Sequence, residues 1–241
     1  NRGVFLENTG CGLCNRKCRV DRDNGEKGFC GETSEIRCGR AALHMWEEPC
    51  ISGTRGSGTV FFTGCVLKCV FCQNSVLAES KVGKPVTVSR LAEIFLELQN
   101  KGAHNINLVT PTHFVPSIRE SIILSKKNGL AVPIVYNTGS YESVDTIKSL
   151  EGLVDIYLPD LKYVSSELSK KYSKVPDYFE VARKAIGEMV RQTGTPEFDD
   201  DGIMKKGVIV RHLLLPGCLS DSKNVIKYLY DTYRLSLIHI S

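Results

Sequence analysis

From Gly58 onward, short apolar runs rich in β-branched residues alternate with segments whose apolar positions recur at intervals of three and four. That alternation is the pattern of parallel strands joined by crossover helices. Thr59 to Thr63 reads as the first strand. A helix follows over about 87–101, with Leu91, Ile94, Phe95 and Leu98 on one face and Gly102 as its stop. Residues 105–109 read as a second strand, 116–128 as a helix closed by Gly129, 132–136 as a third strand and 154–158 as a fourth, with a short helix capped by Ser143 between the last two. A helix over 177–192, a solvated acidic loop at Asp199 to Asp201, a fifth strand over 207–214 and a helix over 222–233 complete the series. Five strand–helix units predict an α/β fold whose parallel sheet curves into an open or closed barrel, with functional groups on the loops that follow the strand C-termini.

Residues 1–50 break the pattern. They are rich in Cys, Gly and charge and carry no long helical period, so they read as a small Cys-rich N-terminal module ahead of a barrel domain over 51–235, with His44 and Trp46 at the joint. The chain opens at Asn1 without an initiator Met, and Leu235 to Ser241 resembles a translated sequencing adapter. Residues 236–241 are therefore expected to be an artefactual tail, and the chain a fragment. The 31 Lys and Arg against 27 Asp and Glu leave a net charge of +4 with no basic run, which argues against a nucleic-acid partner. Neither a bilayer-spanning apolar stretch nor a secretory leader is present in the sequence, so no membrane association and a cytoplasmic location are expected.

Nine of the ten cysteines lie between Cys11 and Cys72, a clustering that favours metal over disulfides in a reducing compartment. Cys65, Cys69 and Cys72 have the spacing C-x3-C-x2-C on a loop that leaves the first strand. Three thiolates so placed suit three corners of a [4Fe–4S] cubane, and the absence of a fourth nearby cysteine leaves one corner for a reactant. A zinc loop borrowing Cys50, Cys38 or a histidine is the plainer alternative; the placement at a strand end speaks against it. Cys11, Cys14, Cys18 and Cys30, spaced C-x2-C-x3-C-x11-C, are sufficient for a structural zinc or a second cluster, and either would stabilise a segment with little core of its own.

Gly64 through Asn74, with the aromatic Phe71 directly before the third cysteine, resembles the signature of radical S-adenosylmethionine (SAM) enzymes. More narrowly, Cys11 to Cys14, Ala41 to Pro49, Gly53 to Gly58, His104 to His113 and Tyr157 to Tyr163 resemble uncharacterised radical SAM proteins named after pyruvate formate-lyase-activating enzyme. The resemblance implies a partial (β/α)6 TIM-like barrel with SAM across the strand C-termini. Five units are visible, and the sixth strand is expected to be lost with the C-terminus. The resemblance also implies an oxidoreductase that cleaves SAM reductively to a 5′-deoxyadenosyl radical, which abstracts hydrogen, in the activating enzymes from a glycine of a partner protein. A small molecule or RNA as substrate, or a non-enzymatic Fe–S or zinc adaptor, are the alternatives. A flavodoxin or ferredoxin is the expected reductant.

Several further residues are expected at the SAM site. Phe71 lies along the adenine or shields the cluster, simple core packing being the other reading. Thr110, Thr112 and His113 stand where activating enzymes carry a Gly-Gly-Glu motif for the SAM amine, and they offer polar substitutes. The same segment, with its Pro111, also suits a loop cap. Asn137 falls where the resemblance places a ribose or carboxylate contact; a turn Asn is the other reading. Asp160 and Lys162 match an Asp-x-Lys motif that contacts SAM, or form a rim ion pair. Arg211, between the apolar runs Val208 to Val210 and Leu213 to Leu215, should point into the barrel and suits the SAM carboxylate. His212 then faces the helices.

Overall fold

The computed structural model describes residues 10–234 and 238–240. In chain order the elements are β1 (Arg37–His44), α1 (Pro49–Ser52), β2 (Ser57–Phe62), α2 (Ser75–Ala78), β3 (Lys84–Pro85), α3 (Val88–Asn100), β4 (Ile106–Val109), a 3-10 turn (Thr112–Phe114), α4 (Val115–Lys127), β5 (Ile134–Thr138), α5 (Val144–Lys148), β6 (Ile156–Pro159), α6 (Ser166–Ser173), α7 (Tyr178–Thr193), β7 (Glu197–Phe198), β8 (Met204–Arg211), α8 (Leu219–Tyr233) and β9 (Ile238–Ile240). The sheet order is β3-β1-β2-β4-β5-β6-β8-β7, with β9 on β8. The run β2-β4-β5-β6-β8-β9 is parallel throughout, whereas β1, β3 and β7 join antiparallel. The result is an open α/β half-barrel, one of the two forms the alternating pattern allows and the one the resemblance implies. Beyond the five strands read from the sequence, Ile238–Ile240 adds a short sixth parallel strand in register with Ile209 to Arg211, and the sheet still does not close. Residues 1–9, at the start of the Cys-rich module, and Leu235, Ser236, Leu237 and Ser241, in the expected tail, lie outside the described residues.

Alternation along the strands separates two apolar layers. Val60, Phe62, Ile106, Leu108, Ile134, Tyr136, Tyr157, Val208 and Val210 face the helices and join the main core with Leu91, Phe95, Ile118 and Ile186. Val135, Ile156, Leu158, Met204 and Ile209 face inward and are plugged by Ile51 from the one-turn helix α1. Asn105 secures that plug, its Nδ2 donating to the Ile51 carbonyl at 2.8 Å and its Oδ1 accepting from Ser57 Oγ at 2.6 Å. α3 starts where the sequence predicts, with Thr87 capping it by accepting from the Arg90 N–H at 3.1 Å, whereas α8 begins at Leu219, before the expected 222, and α6 has no counterpart in the predicted series. Ser143, by contrast, makes no capping hydrogen bond to α5.

Cys14, Cys30 and Ile36 bury into the main core, and the compositional boundary near residue 50 falls between β1 and β2, two paired strands of one sheet. Two details differ from the sequence reading. Trp46 is 87% exposed, so it is not packed at a joint; only His44 finds an aromatic neighbour, Phe61. The fifth strand stops at Arg211, and Leu213 and Leu214 are exposed in the loop beyond it, because Pro216 and Gly217 turn the chain toward α8. His212 does face the helices, hydrogen-bonded to the Leu161 carbonyl and to Ser222 Oγ, both at 2.8 Å. Among the described residues no helix is long and apolar enough to cross a membrane.

Candidate active site at the strand C-termini

The loop after β2 carries the three cysteines. Gly64 makes its entry: it sits at φ +79°, and a Cβ there would stand 2.6 Å from Glu32 Cγ and 2.8 Å from the Cys30 carbonyl oxygen. No side chain fits, and the turn needs a left-handed residue. Cys65 then donates its backbone N–H to the Cys30 carbonyl at 3.3 Å, tying the loop to the N-terminal segment. Amides point at sulfur along the loop. The Leu67 N–H lies 3.4 Å from Cys65 Sγ, and the Asn74 N–H faces the Cys72 thiol. Cys69 Sγ is 2.9 Å from Ser173 Oγ.

Burial pushes the Cys65 thiol up to about 11, with Cys69 and Cys72 adding to the rise against the Leu67 and Lys68 amides. Burial raises Cys72 as well, with Lys162 pulling the other way. These thiols are neighbours that repel one another as anions, so a positive group must be present for all three to ionise. The donor set fits an Fe–S cluster: soft sulfur, backbone N–H groups aimed at it and a lysine close by. Among the described residues no three His, Cys, Asp or Glu side chains converge on one point as a single metal ion requires. A cubane spreads its ligands over separate irons, so such convergence is not a condition for it.

Beside the loop, four strands contribute a charged clamp. Arg211, at the end of β8, donates from Nε to Asp160 Oδ1 at 3.1 Å and from Nη2 to Asn137 Oδ1 at 2.6 Å, and its Nη1 lies 3.4 Å from Glu47 Oε2. Lys162 Nζ holds the other Asp160 oxygen at 2.6 Å. Burial pushes the Asp160 carboxyl up, but Lys162 and Arg211 outweigh it and hold the group below the ordinary range, ionised. Lys162 also feels the Cys69 thiol and stands 5.9 Å from the Phe71 ring centre. Phe71 packs edge-on against Tyr163 and Tyr172, so its ring closes the side of the cysteine loop. The structure thus gathers Cys65, Cys69, Cys72, Phe71, Asn137, Asp160, Lys162 and Arg211.

The Thr110 to His113 segment is placed differently. Thr110 adopts φ +58° beside β5, its N–H donating to the Asn137 carbonyl at 2.9 Å. Thr112 is buried and donates to Glu142 Oε1 at 2.7 Å, an oxygen that Thr138 also engages. His113 is buried too, its Nε2 donating to the Thr63 carbonyl at 2.6 Å. Burial, with Arg22 nearby, lowers its pKa to about 3, so the ring is neutral. The Thr112 hydroxyl and the Nε2 edge of His113 are thus committed to internal contacts. Three acidic residues that sequence reasoning did not single out complete the surroundings. Glu47 reaches Arg211, Glu48 feels Arg211 and Asp160, and buried Glu142 is pushed up to about 7 by desolvation. Glu47 and Glu48 fall in the Ala41 to Pro49 segment that carries the family resemblance, ahead of the helix start at Pro49, whereas Glu142 has no local signal.

The N-terminal cysteines also lie close together. Burial raises Cys14 to about 12, with Cys11 and Cys30 contributing, and burial raises Cys30 with Cys11 and Cys18 contributing. The Phe29 N–H points at Cys18 Sγ from 3.4 Å.

Fold and site together define a class: an open parallel α/β barrel with three free thiols and a charged clamp at its C-terminal mouth. The family model of the Radical SAM superfamily matches residues 59–213, and the chain belongs to that superfamily. It is 31% identical over 218 residues to the uncharacterised protein MJ0674 of Methanocaldococcus jannaschii, a match covering 87% of this chain and 58% of the relative. The chain therefore spans somewhat over half of that relative's length. Among solved structures it is similar to SuiB of Streptococcus suis bound to S-adenosylmethionine, at 14% identity and a TM-score of 0.43, over 73% of this chain and 47% of that one.

Proposed function

We propose that this chain is the core of an oxidoreductase that reductively cleaves SAM and uses the resulting radical to abstract hydrogen from carbon. The observation that carries the reading is the convergence of the Cys65, Cys69 and Cys72 loop with the Asn137, Asp160, Lys162 and Arg211 clamp at one mouth of a radical SAM barrel. Cys65, Cys69 and Cys72 would hold the [4Fe–4S] cluster, which when bound supplies the electron that breaks the sulfonium C–S bond and yields the 5′-deoxyadenosyl radical. The chain's residues bind and orient. Arg211 and Lys162 offer fixed N–H donors to a carboxylate, Asp160 offers a carboxylate to an amine, and the two signs side by side match the amino-acid end of SAM. Phe71 flanks the cysteine loop, while the Ile51 plug fills the barrel interior toward the opposite, N-terminal ends of the strands.

For the substrate, glycine in a partner protein is the activating-enzyme-like reading. It is supported by exposed Val70 in the cysteine loop and exposed Leu213, Leu214 and Leu219 after β8, an apolar set at the mouth that suits a macromolecule better than a small metabolite. Cys11, Cys14, Cys18 and Cys30 are proposed to hold a second metal group, iron–sulfur or zinc, and a flavodoxin or ferredoxin to deliver the electron.

The test is anaerobic reconstitution with iron and sulfide, chemical reduction and addition of SAM. Formation of 5′-deoxyadenosine, abolished in Cys65→Ala, Cys69→Ala and Cys72→Ala, is the expected result. A reconstituted protein that carries iron yet yields no 5′-deoxyadenosine would refute the enzyme reading in favour of an adaptor.

A further inference from the structure

A cavity of about 400 Å3 lies on the helical side of the sheet, between the N-terminal Cys-rich segment and the start of α4. Its apolar walls are Leu13, Val88, Phe114 and Ile123. Two buried polar atoms without hydrogen-bond partners belong to residues that line it. His113 is 2% exposed; its Nε2–H is spent on the Thr63 carbonyl, while Nδ1 lacks a hydrogen-bond partner. Desolvation keeps that ring neutral, so Nδ1 is a lone-pair acceptor awaiting a donor. Arg119, one turn into α4, has a buried Nε–H without a partner. α4 follows directly on the 3-10 turn Thr112–Phe114 and carries Pro116, which has no N–H, in its first turn. Arg22 adds a second guanidinium, its nitrogens held by the carbonyls of Glu32, Thr33 and His113. The acidic lining residues, Asp21, Asp23 and Glu120, are exposed at the rim, and Asp21 is engaged by Asn24.

We propose that this cavity is a binding site, separate from the barrel mouth, for a small organic acid with an apolar body and a hydroxyl group. The carboxylate meets Arg119, the hydroxyl donates to His113 Nδ1, and the body fills the space between Val88, Phe114 and Ile123. Buried donors and acceptors are normally satisfied, and a ligand of this chemistry satisfies both orphaned groups at once.

The test is isothermal titration of the anaerobically purified, metal-loaded protein with 4-hydroxyphenylacetate as probe. Saturable one-site binding is expected, with phenylacetate, which lacks the hydroxyl, and tyramine, which lacks the carboxylate, each about tenfold weaker or worse. Arg119→Met should weaken the probe by about tenfold while leaving tyramine unchanged. Ile123→Trp, at a position 41% exposed and so tolerant of change, should fill the cavity and abolish binding. Absence of saturable binding up to about 10 mM probe, a far weaker range than most specific sites show, overturns the proposal. So does indifference to both substitutions, or displacement of the probe by SAM.

Discussion

Arg211 is the residue on which the clamp depends, and its coupling to Asp160 is open to direct measurement. Two guanidinium nitrogens, Nε and Nη2, approach Asp160 Oδ1 at 3.1 Å, and the side chains of the pair are 24% and 23% exposed. Hydrogen bonds between charged groups contribute about 1.5–3 kcal/mol when well shielded, and exposed pairs about 0.2–1 kcal/mol. Partial burial, with one hydrogen bond from Nε and the Nη2 ion pair falling on the same oxygen, places the expected coupling at about 1–2 kcal/mol. Arg211→Met alone should cost more, because it also strips Asn137 Oδ1 of its donor and leaves Glu47 and Asp160 facing one another with Lys162 as the remaining cation. The assay is a double-mutant cycle of Arg211→Met and Asp160→Asn by anaerobic urea unfolding, on preparations of equal iron content. A coupling under about 0.3 kcal/mol, the scatter of independent sites, would refute the argument that these groups form one clamp.

Three other outcomes are expected. Ile51→Ala should destabilise the chain by about 2–4 kcal/mol, since it empties the plug of the inner layer, and urea unfolding measures it; a loss under about 1 kcal/mol would mean the inner layer closes without it. Glu142 has a folded-state pKa raised to about 7 from the ordinary 4.5, so the folded state binds its proton more tightly than the unfolded one. Stability should therefore fall as pH rises through that window and level off above it, and Glu142→Gln should flatten this part of the unfolding–pH curve; an unchanged slope would contradict it. Cys14→Ala should remove metal from the N-terminal group while leaving the iron bound through Cys65, Cys69 and Cys72, as read by elemental analysis; equal iron loss from both groups would tell against two separate sites.

Most of the barrel was legible because its helices and strands obey simple periods. Leu91, Ile94, Phe95 and Leu98 fall on one face of α3 and are all buried, as their spacing requires. The cysteine loop was legible because ligand spacing is local. What was not legible depended on contacts distant in sequence. β1 hides in a stretch of mixed polarity, Arg37 to His44, because it is a strand covered unevenly on its two faces. The end of β8 was overrun because Leu213 and Leu214 look like core, although the chain has already turned out to solvent. Glu47 joins the clamp across the whole barrel from Arg211, a pairing that no local pattern encodes. Thr112 and His113 carried the right chemistry for a cofactor contact, but burial spends both on Glu142 and the Thr63 carbonyl.

The central claim, that three thiolates leave one iron free for SAM, is tested most directly by electron–nuclear double resonance of the reduced, cluster-loaded protein with SAM labelled at its amino nitrogen and carboxylate. The account predicts hyperfine coupling from both labels to the cluster, lost in Cys69→Ala. A cluster that carries a fourth protein ligand and shows no coupling to either label would contradict it.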